Sequence, residues 1–209
     1  MARAATEATA RTEQTPARNK NLGERSFGKA AIRALEGDGN ERRFELSFSS
    51  EEPYERWFGM EILSHAEGAV DMTRLNEIGV LLFNHDTDRV LGRVERAWVD
   101  GKRGKAEVVF DDDEETETIF QKVKSGTLKG VSVRYTVDSW EEVAAGKVSS
   151  DGFTGPCDIA RRWTPLEISI VSVPADATVG VGRSRNTAQH KPQSLGAFEA
   201  QVKANQNLL

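Results

Sequence analysis

The chain has 209 residues, a formal net charge of −5 and a hydrophobic share of 38%, which leaves room for one core with polar tails around it. Its single cysteine, Cys157, excludes an internal disulfide and fits a reducing compartment. The negative charge gives no reason to expect nucleic acid as a partner. No apolar run is long enough for a membrane span, and the N-terminus lacks the apolar stretch of a secretion signal.

Residues 1 to 28 are polar and carry almost no large apolar groups, so they read as a disordered arm that buries too little to order itself. From Arg43 to Phe48 polar and apolar residues alternate, which predicts a strand. Trp57 to Leu63 reads as another, with Gly59 as a candidate bulge. Asp71 is placed to cap a short helix from Met72 to Ile78, stopped by Gly79. Val80-Leu81-Leu82-Phe83 is a continuous apolar run, the mark of a strand covered on both faces. Val90 to Val99 and Lys105 to Phe110 flank Asp100-Gly101-Lys102-Arg103-Gly104 and predict a hairpin, with Gly92 bending its first arm.

Asp111 to Ser125 carries acids in its first turn, Lys122 and Lys124 in its last, and an apolar stripe of Ile119, Phe120 and Val123, which together predict a helix. Gly130 to Asp138 alternates strictly. Val131, Val133, Tyr135 and Val137 share one face; Ser132, Arg134, Thr136 and Asp138 share the other. A loop follows, and a last strand runs from Leu166 to Val173 after Pro165, with Glu167 and Ser169 opposite Leu166, Ile168 and Ile170. Residues 184 to 209 read as a flexible tail. Some seven or eight strands with two inserted helices predict a mostly β, α+β fold, an antiparallel sheet closed into a barrel.

A hydroxyl on an anchored strand and an imidazole at the end of a buried one are two parts of a hydrolase that needs no metal. Ser132 is the candidate nucleophile, with Gly130 leaving room for a substrate backbone; the plain alternative is a solvated serine. His85 ranks ahead of His65, which sits in a polar turn, and of His190, which lies in the tail. Its alternative is a structural hydrogen-bonded histidine. For the third member Glu167 is better placed than Asp86, with Asp158 in reserve, while an ion pair from Glu167 to Arg134, Arg161 or Arg162 fits the spacing equally well. His85, Asp86 and Asp88 match no metal-ligand spacing, Cys157 has no evident base, and no cofactor-binding motif occurs.

The order Asn84-His85-Asp86, Leu91-Gly92, an acidic helix, Gly130-Val131-Ser132-Val133 and Glu167-Ile168-Ser169-Ile170-Val171-Ser172-Val173-Pro174-Ala175 resembles the tailed-phage (caudovirus) prohead proteases, relatives of herpesvirus assemblin. The resemblance implies an assemblin-like barrel of about seven strands, closed or partly open, over residues 29–183. It implies a serine endopeptidase with Ser132 as nucleophile, His85 as base and Glu167 as the acid, working without cofactor or metal. The implied partners are the major capsid protein with its scaffolding segment, the chain itself through self-cleavage after about Arg183, and a second copy in a homodimer; nucleic acid and membrane are not among them. The implied place is the host cytoplasm, inside the immature capsid. The chain departs from many relatives at Arg134 (glycine) and Asp176 (asparagine). Arg134 beside Ser132 motivates the rival expectation, a non-catalytic assembly module on the same barrel.

Overall fold

The computed structural model describes residues 19–27, 32–37, 39 and 41–174. In chain order they form β1 (Leu22–Phe27), β2 (Arg33–Ala34), β3 (Arg43–Ser50), β4 (Tyr54–Arg56), β5 (Gly59–Leu63), α1 (Thr73–Ile78), β6 (Val80–Phe83), β7 (Asp86–Asp100), β8 (Arg103–Phe110), α2 (Glu114–Lys124), β9 (Gly130–Val143) and β10 (Cys157–Val171). The ten strands make one sheet in the order β1-β9-β10-β6-β7-β8-β3-β2, with β5 added to β10 and β4 to β5.

The mostly β expectation with inserted helices therefore holds, but of the closed or partly open antiparallel barrel expected, neither the closed form nor the purely antiparallel pairing is found among the described residues. Among the described residues the end strands β1 and β2 do not pair, so the sheet curls into an open half-barrel. It is also mixed, because β5 and β6 both run parallel to β10. The length of β10 is the reason. Its 15 residues run along β9 on one edge, with register shifts at Arg161 and Leu166. The other edge is shared by β5, opposite Asp158 to Ala160, and then by β6, opposite Ile168 to Ile170. Between those two contacts Ala69 and Asp71 still bond Trp163 of β10, and α1 then leads to β6 with Leu75 buried.

The curl encloses an apolar core. Val131, Val133, Tyr135 and Val137 of β9 meet Ile168 and Ile170 of β10, Leu81 of β6 and the Phe44, Leu46 and Phe48 face of β3. Full burial of one such side chain contributes roughly 1.5–3 kcal/mol. Phe44, Phe110 and Phe120 pack edge to face or tilted. The last of these arrives on α2, whose cap is Asp113, accepting from the Thr116 N–H at 2.9 Å.

Several boundaries move. Leu22 to Phe27, read from the sequence as part of a disordered arm, form β1 on the free edge of β9; the polar Glu24 and Ser26 hide a strand whose partners are supplied only by the fold. Trp57 to Leu63 is not one strand but the end of a hairpin turning at Trp57-Phe58. Gly79 ends α1 in an extended conformation, and a Cβ there would lie 2.3 Å from the Leu75 carbonyl oxygen. β10 starts well before Pro165; the missing N–H falls where the register with β9 slips, so the strand passes through. The tail at 184–209 lies outside the described residues.

His65, a rejected base candidate, is buried rather than in an open turn. It sits 2.7 Å from the Ser49 hydroxyl through Nε2 and 3.0 Å from the Leu63 carbonyl oxygen through Nδ1. The ring meets Trp163 edge-on. Burial pushes its pKa from 6.5 down to about 4, so the folded chain keeps it neutral while the unfolded chain protonates it. The unfolded state then binds more protons between these two values, and stability falls as pH drops through that window, by at most roughly 3 kcal/mol. Urea midpoints measured from pH 7 to pH 4 should show this loss, and His65→Gln should flatten it.

Candidate active site

The site is built on the polar side of three neighbouring strands. Ser26 of β1 pairs across from Ser132 of β9, which pairs across from Ser169 of β10. All three hydroxyls are buried. Two positions along, the same side carries Glu24, Arg134 and Glu167 in register. Alternation decides this: Ser132 is held by the valines behind it, and Glu167 by Ile168 and Leu166.

His85 reaches this row by a turn. Phe83 of β6 pairs with Asp86 of β7, so Asn84 and His85 are a two-residue hairpin connection. Both are left-handed, with φ of 54° and 61°, the backbone of the turn that suits a hairpin's twist. Asn tolerates that region; a histidine there is uncommon, and such strain collects at functional sites. The turn is pinned on β10. Asn84 N–H donates to the Ile170 carbonyl at 2.9 Å, and Asn84 Oδ1 accepts from the Ser172 N–H at 2.9 Å.

The pinned ring bridges two strands. Its Nδ1 lies 2.5 Å from Glu167 Oε1 and its Nε2 lies 2.7 Å from Ser132 Oγ. With Nδ1–H donated to the carboxylate, Nε2 is free to accept the serine proton. Ser169 locks both ends: its hydroxyl donates to Glu167 Oε2 at 2.8 Å and accepts from the His85 N–H at 3.1 Å. Glu167 is nearly buried, where a carboxylate needs such partners.

The other candidates lie elsewhere. The Asp86 carboxylate faces its own turn and accepts from the Asp88 N–H. Asp158 pairs with Lys20. Arg161 pairs with Glu141 and Asp151, and Arg134 with Glu24, so the alternative ion pairs for Glu167 do not form. His190 is outside the described residues. Burial raises the Cys157 thiol's pKa, which leaves it a poor nucleophile. Among the described residues no group of three or more His, Cys, Asp or Glu is arranged to hold a metal. Gly130 also lets β10 approach: a Cβ there would lie 2.6 Å from the Val171 carbonyl oxygen.

Ser169 and the whole of β1 were not legible as site parts. Ser26 Oγ donates to Ser132 Oγ at 2.9 Å, and the Arg25 carbonyl oxygen lies 3.0 Å from that same hydroxyl. Glu24 Oε1 sits 3.2 Å from His85 Nε2. The only signal in the sequence was a weak alternation of Glu24 and Ser26 with Gly23, Arg25 and Phe27.

Residues 57–193 match the family of caudovirus prohead serine proteases. The chain belongs to that family. It is also 41% identical, over 145 residues, to a protein named major capsid protein from Halomonas phage phiHAP-1. That stretch is 66% of this chain and 23% of the relative, so the chain spans under a quarter of that protein's length. In fold it is similar to the bacteriophage T4 capsid assembly protease gp21, with a TM-score of 0.50 over 75% of this chain and 100% of that one, at 13% identity.

The hairpin turn yields a test. Asn84→Val places a β-branched residue at a left-handed position and removes the Oδ1 bonds to Ser172. It should cost about 2 kcal/mol or more, whereas Asn84→Gly should cost about 1 kcal/mol or less. Chemical denaturation of the two variants measures the difference.

Proposed function

We propose that this prohead protease is a serine endopeptidase in which Ser132 attacks, His85 takes and returns the proton, and Glu167 orients the imidazole and stabilises its charged form. The unbroken line of hydrogen bonds from Glu167 through His85 to Ser132 carries the reading. The Ser132 oxygen adds to a peptide carbonyl as its proton passes to Nε2. Collapse of the adduct breaks the C–N bond and His85 protonates the leaving amine. Water, deprotonated by His85, then releases the acyl group.

An oxyanion donor follows from the strand ladder. The Val137 N–H bonds the Asn21 carbonyl, and antiparallel bonding alternates. In the continuous register of β1 with β9, the N–H groups of Tyr135, Val133 and Val131 therefore face β1. The Val133 N–H, next to the nucleophile, points where a substrate carbonyl paired with it would develop negative charge. A peptide substrate is accordingly read as an added strand on β9, in the position β1 now holds.

The substrate proposed is a major capsid protein with its scaffolding segment, cut inside the immature capsid. Support comes from the family and from the likeness to a phage capsid protein. Self-cleavage in the segment after about Arg183 and a homodimer belong to the same proposal. A second reading, a non-catalytic assembly module, is favoured by one observation: β1 covers Ser132 completely. Arg134 does not crowd the serine; it is drawn to Glu24.

Co-expression with the cognate capsid protein separates the two. Ser132→Ala should abolish processing, a loss of several orders of magnitude, on the order of 10⁶ in kcat, with an unchanged melting temperature. Glu167→Gln should retain a trace of activity, on the order of 10⁴-fold down. Processing that survives Ser132→Ala would remove the proposed nucleophile. An unprocessed capsid protein with the unsubstituted chain would favour the assembly module.

A further inference from the structure

The chamber that holds Arg25 lies on the opposite side of β1 from Ser132. Arg25 alternates with Glu24 and Ser26, so its side chain points inward, beside Val133, and is only 1% exposed. Its guanidinium lies 5.1 Å from the Tyr54 ring and 5.5 Å from the Phe27 ring, and Nη2 donates to the Glu52 carbonyl. Beyond stands a buried polar trio. Tyr135 O–H donates to Glu61 Oε1, and Arg56 donates to Glu61 Oε2 at 2.6 Å and to the Tyr135 oxygen at 2.5 Å. Burial opposes the charge on Arg25, and Glu61 is the first of the groups that favour it.

The carbonyl of this same residue is the one beside the nucleophile. Arg25 O lies 3.0 Å from Ser132 Oγ, and in the register of β1 it faces the Val133 N–H. The peptide bond from Arg25 to Ser26 therefore occupies the place of a bond to be cut, with the arginine side chain as the residue on its acyl side. We infer that the Tyr54–Glu61–Tyr135 chamber is the specificity pocket of the enzyme, and that it selects a basic side chain, arginine first, immediately before the cut. The inference rests on the proteolytic reading above.

The chamber's chemistry sets a rank order. Arg25 Nε and Nη1 make no hydrogen bond among the described residues, so the cation is held by ring faces, one carbonyl and the Glu61 charge rather than by a bidentate fork. Lysine should then be accepted with a moderate loss, because the missing fork matters little. A neutral side chain of similar length leaves the Glu52 carbonyl without its donor and Glu61 with Arg56 as its cation. A carboxylate would sit against both of them, with only Arg56, already bound, in its favour.

The main arm of the test varies the substrate on the unsubstituted chain, where folding is not at stake. Capped peptides Leu-Gly-Glu-Xaa-Ser-Phe, with Arg, Lys, Met or Glu as Xaa, are offered to the full chain and to its Arg25→Glu variant, whose own strand no longer suits the chamber. Products are mapped by mass spectrometry, and Ser132 is probed in parallel with a serine-directed phosphonate. Scission is expected between Xaa and Ser. Arg should exceed Lys by about tenfold and Met by on the order of 100-fold, with Glu last, and the Arg25→Glu chain should be the faster enzyme. Equal rates for all four peptides, a preference for Glu, or cleavage elsewhere in the sequence would overturn the pocket. So would a chain that takes the phosphonate at Ser132 yet leaves the Arg peptide whole. A chain that neither labels nor cuts would sink the pocket and the protease together, which distinguishes that failure from the others. If Arg25→Glu fails to fold, the ranking on the unsubstituted chain decides.

Discussion

The antiparallel ladder between β9 and β10 sets every distance at the site. It places Ser132 beside Ser169 and Arg134 beside Glu167, and the strand pleat then turns all four to one side. A slip of one residue would send Ser132 into the core and a valine to the histidine. The ladder resists such a slip because its other face is packed: Val131, Val133, Ile168 and Ile170 are all fully buried. The polar row is thus held in place by the apolar one behind it.

The histidine depends on the same ladder at one remove. β6 adds to β10 in parallel and ends at Phe83, and the left-handed pair Asn84-His85 folds the chain back over the strand end. Bonds from Ile170, Ser172 and Ser169 to this turn offset its backbone strain. Ser169 is the most economical part of the arrangement. One hydroxyl holds the His85 backbone and the second oxygen of Glu167, so the imidazole is oriented from both ends.

β1 gives the site two aspects. It completes the sheet edge and covers Ser132, and in the proposed function it lies where a substrate strand would bind. Its two faces have separate tasks. Glu24 and Ser26 touch the histidine and serine, while Gly23 lets the strand pass the Tyr135 ring, where a Cβ would lie 2.3 Å away, and Arg25 fills the inner chamber.

The strand carrying Ser132, the apolar run before His85 and the polar placement of Glu167 were readable from residue order, because alternation and apolar runs are local properties of a chain. So were α2 with its acidic start and the bend at Gly92. The partner of Glu167 stayed open between His85 and an arginine, since spacing says nothing about which group a carboxylate meets 82 positions away. Tertiary structure alone decided that point, along with the entry of β1 into the site, the second task of Ser169 and the choice of an open, mixed sheet. Each depends on which strand edges meet, and edge pairing joins backbone groups whose partners lie far off in the sequence.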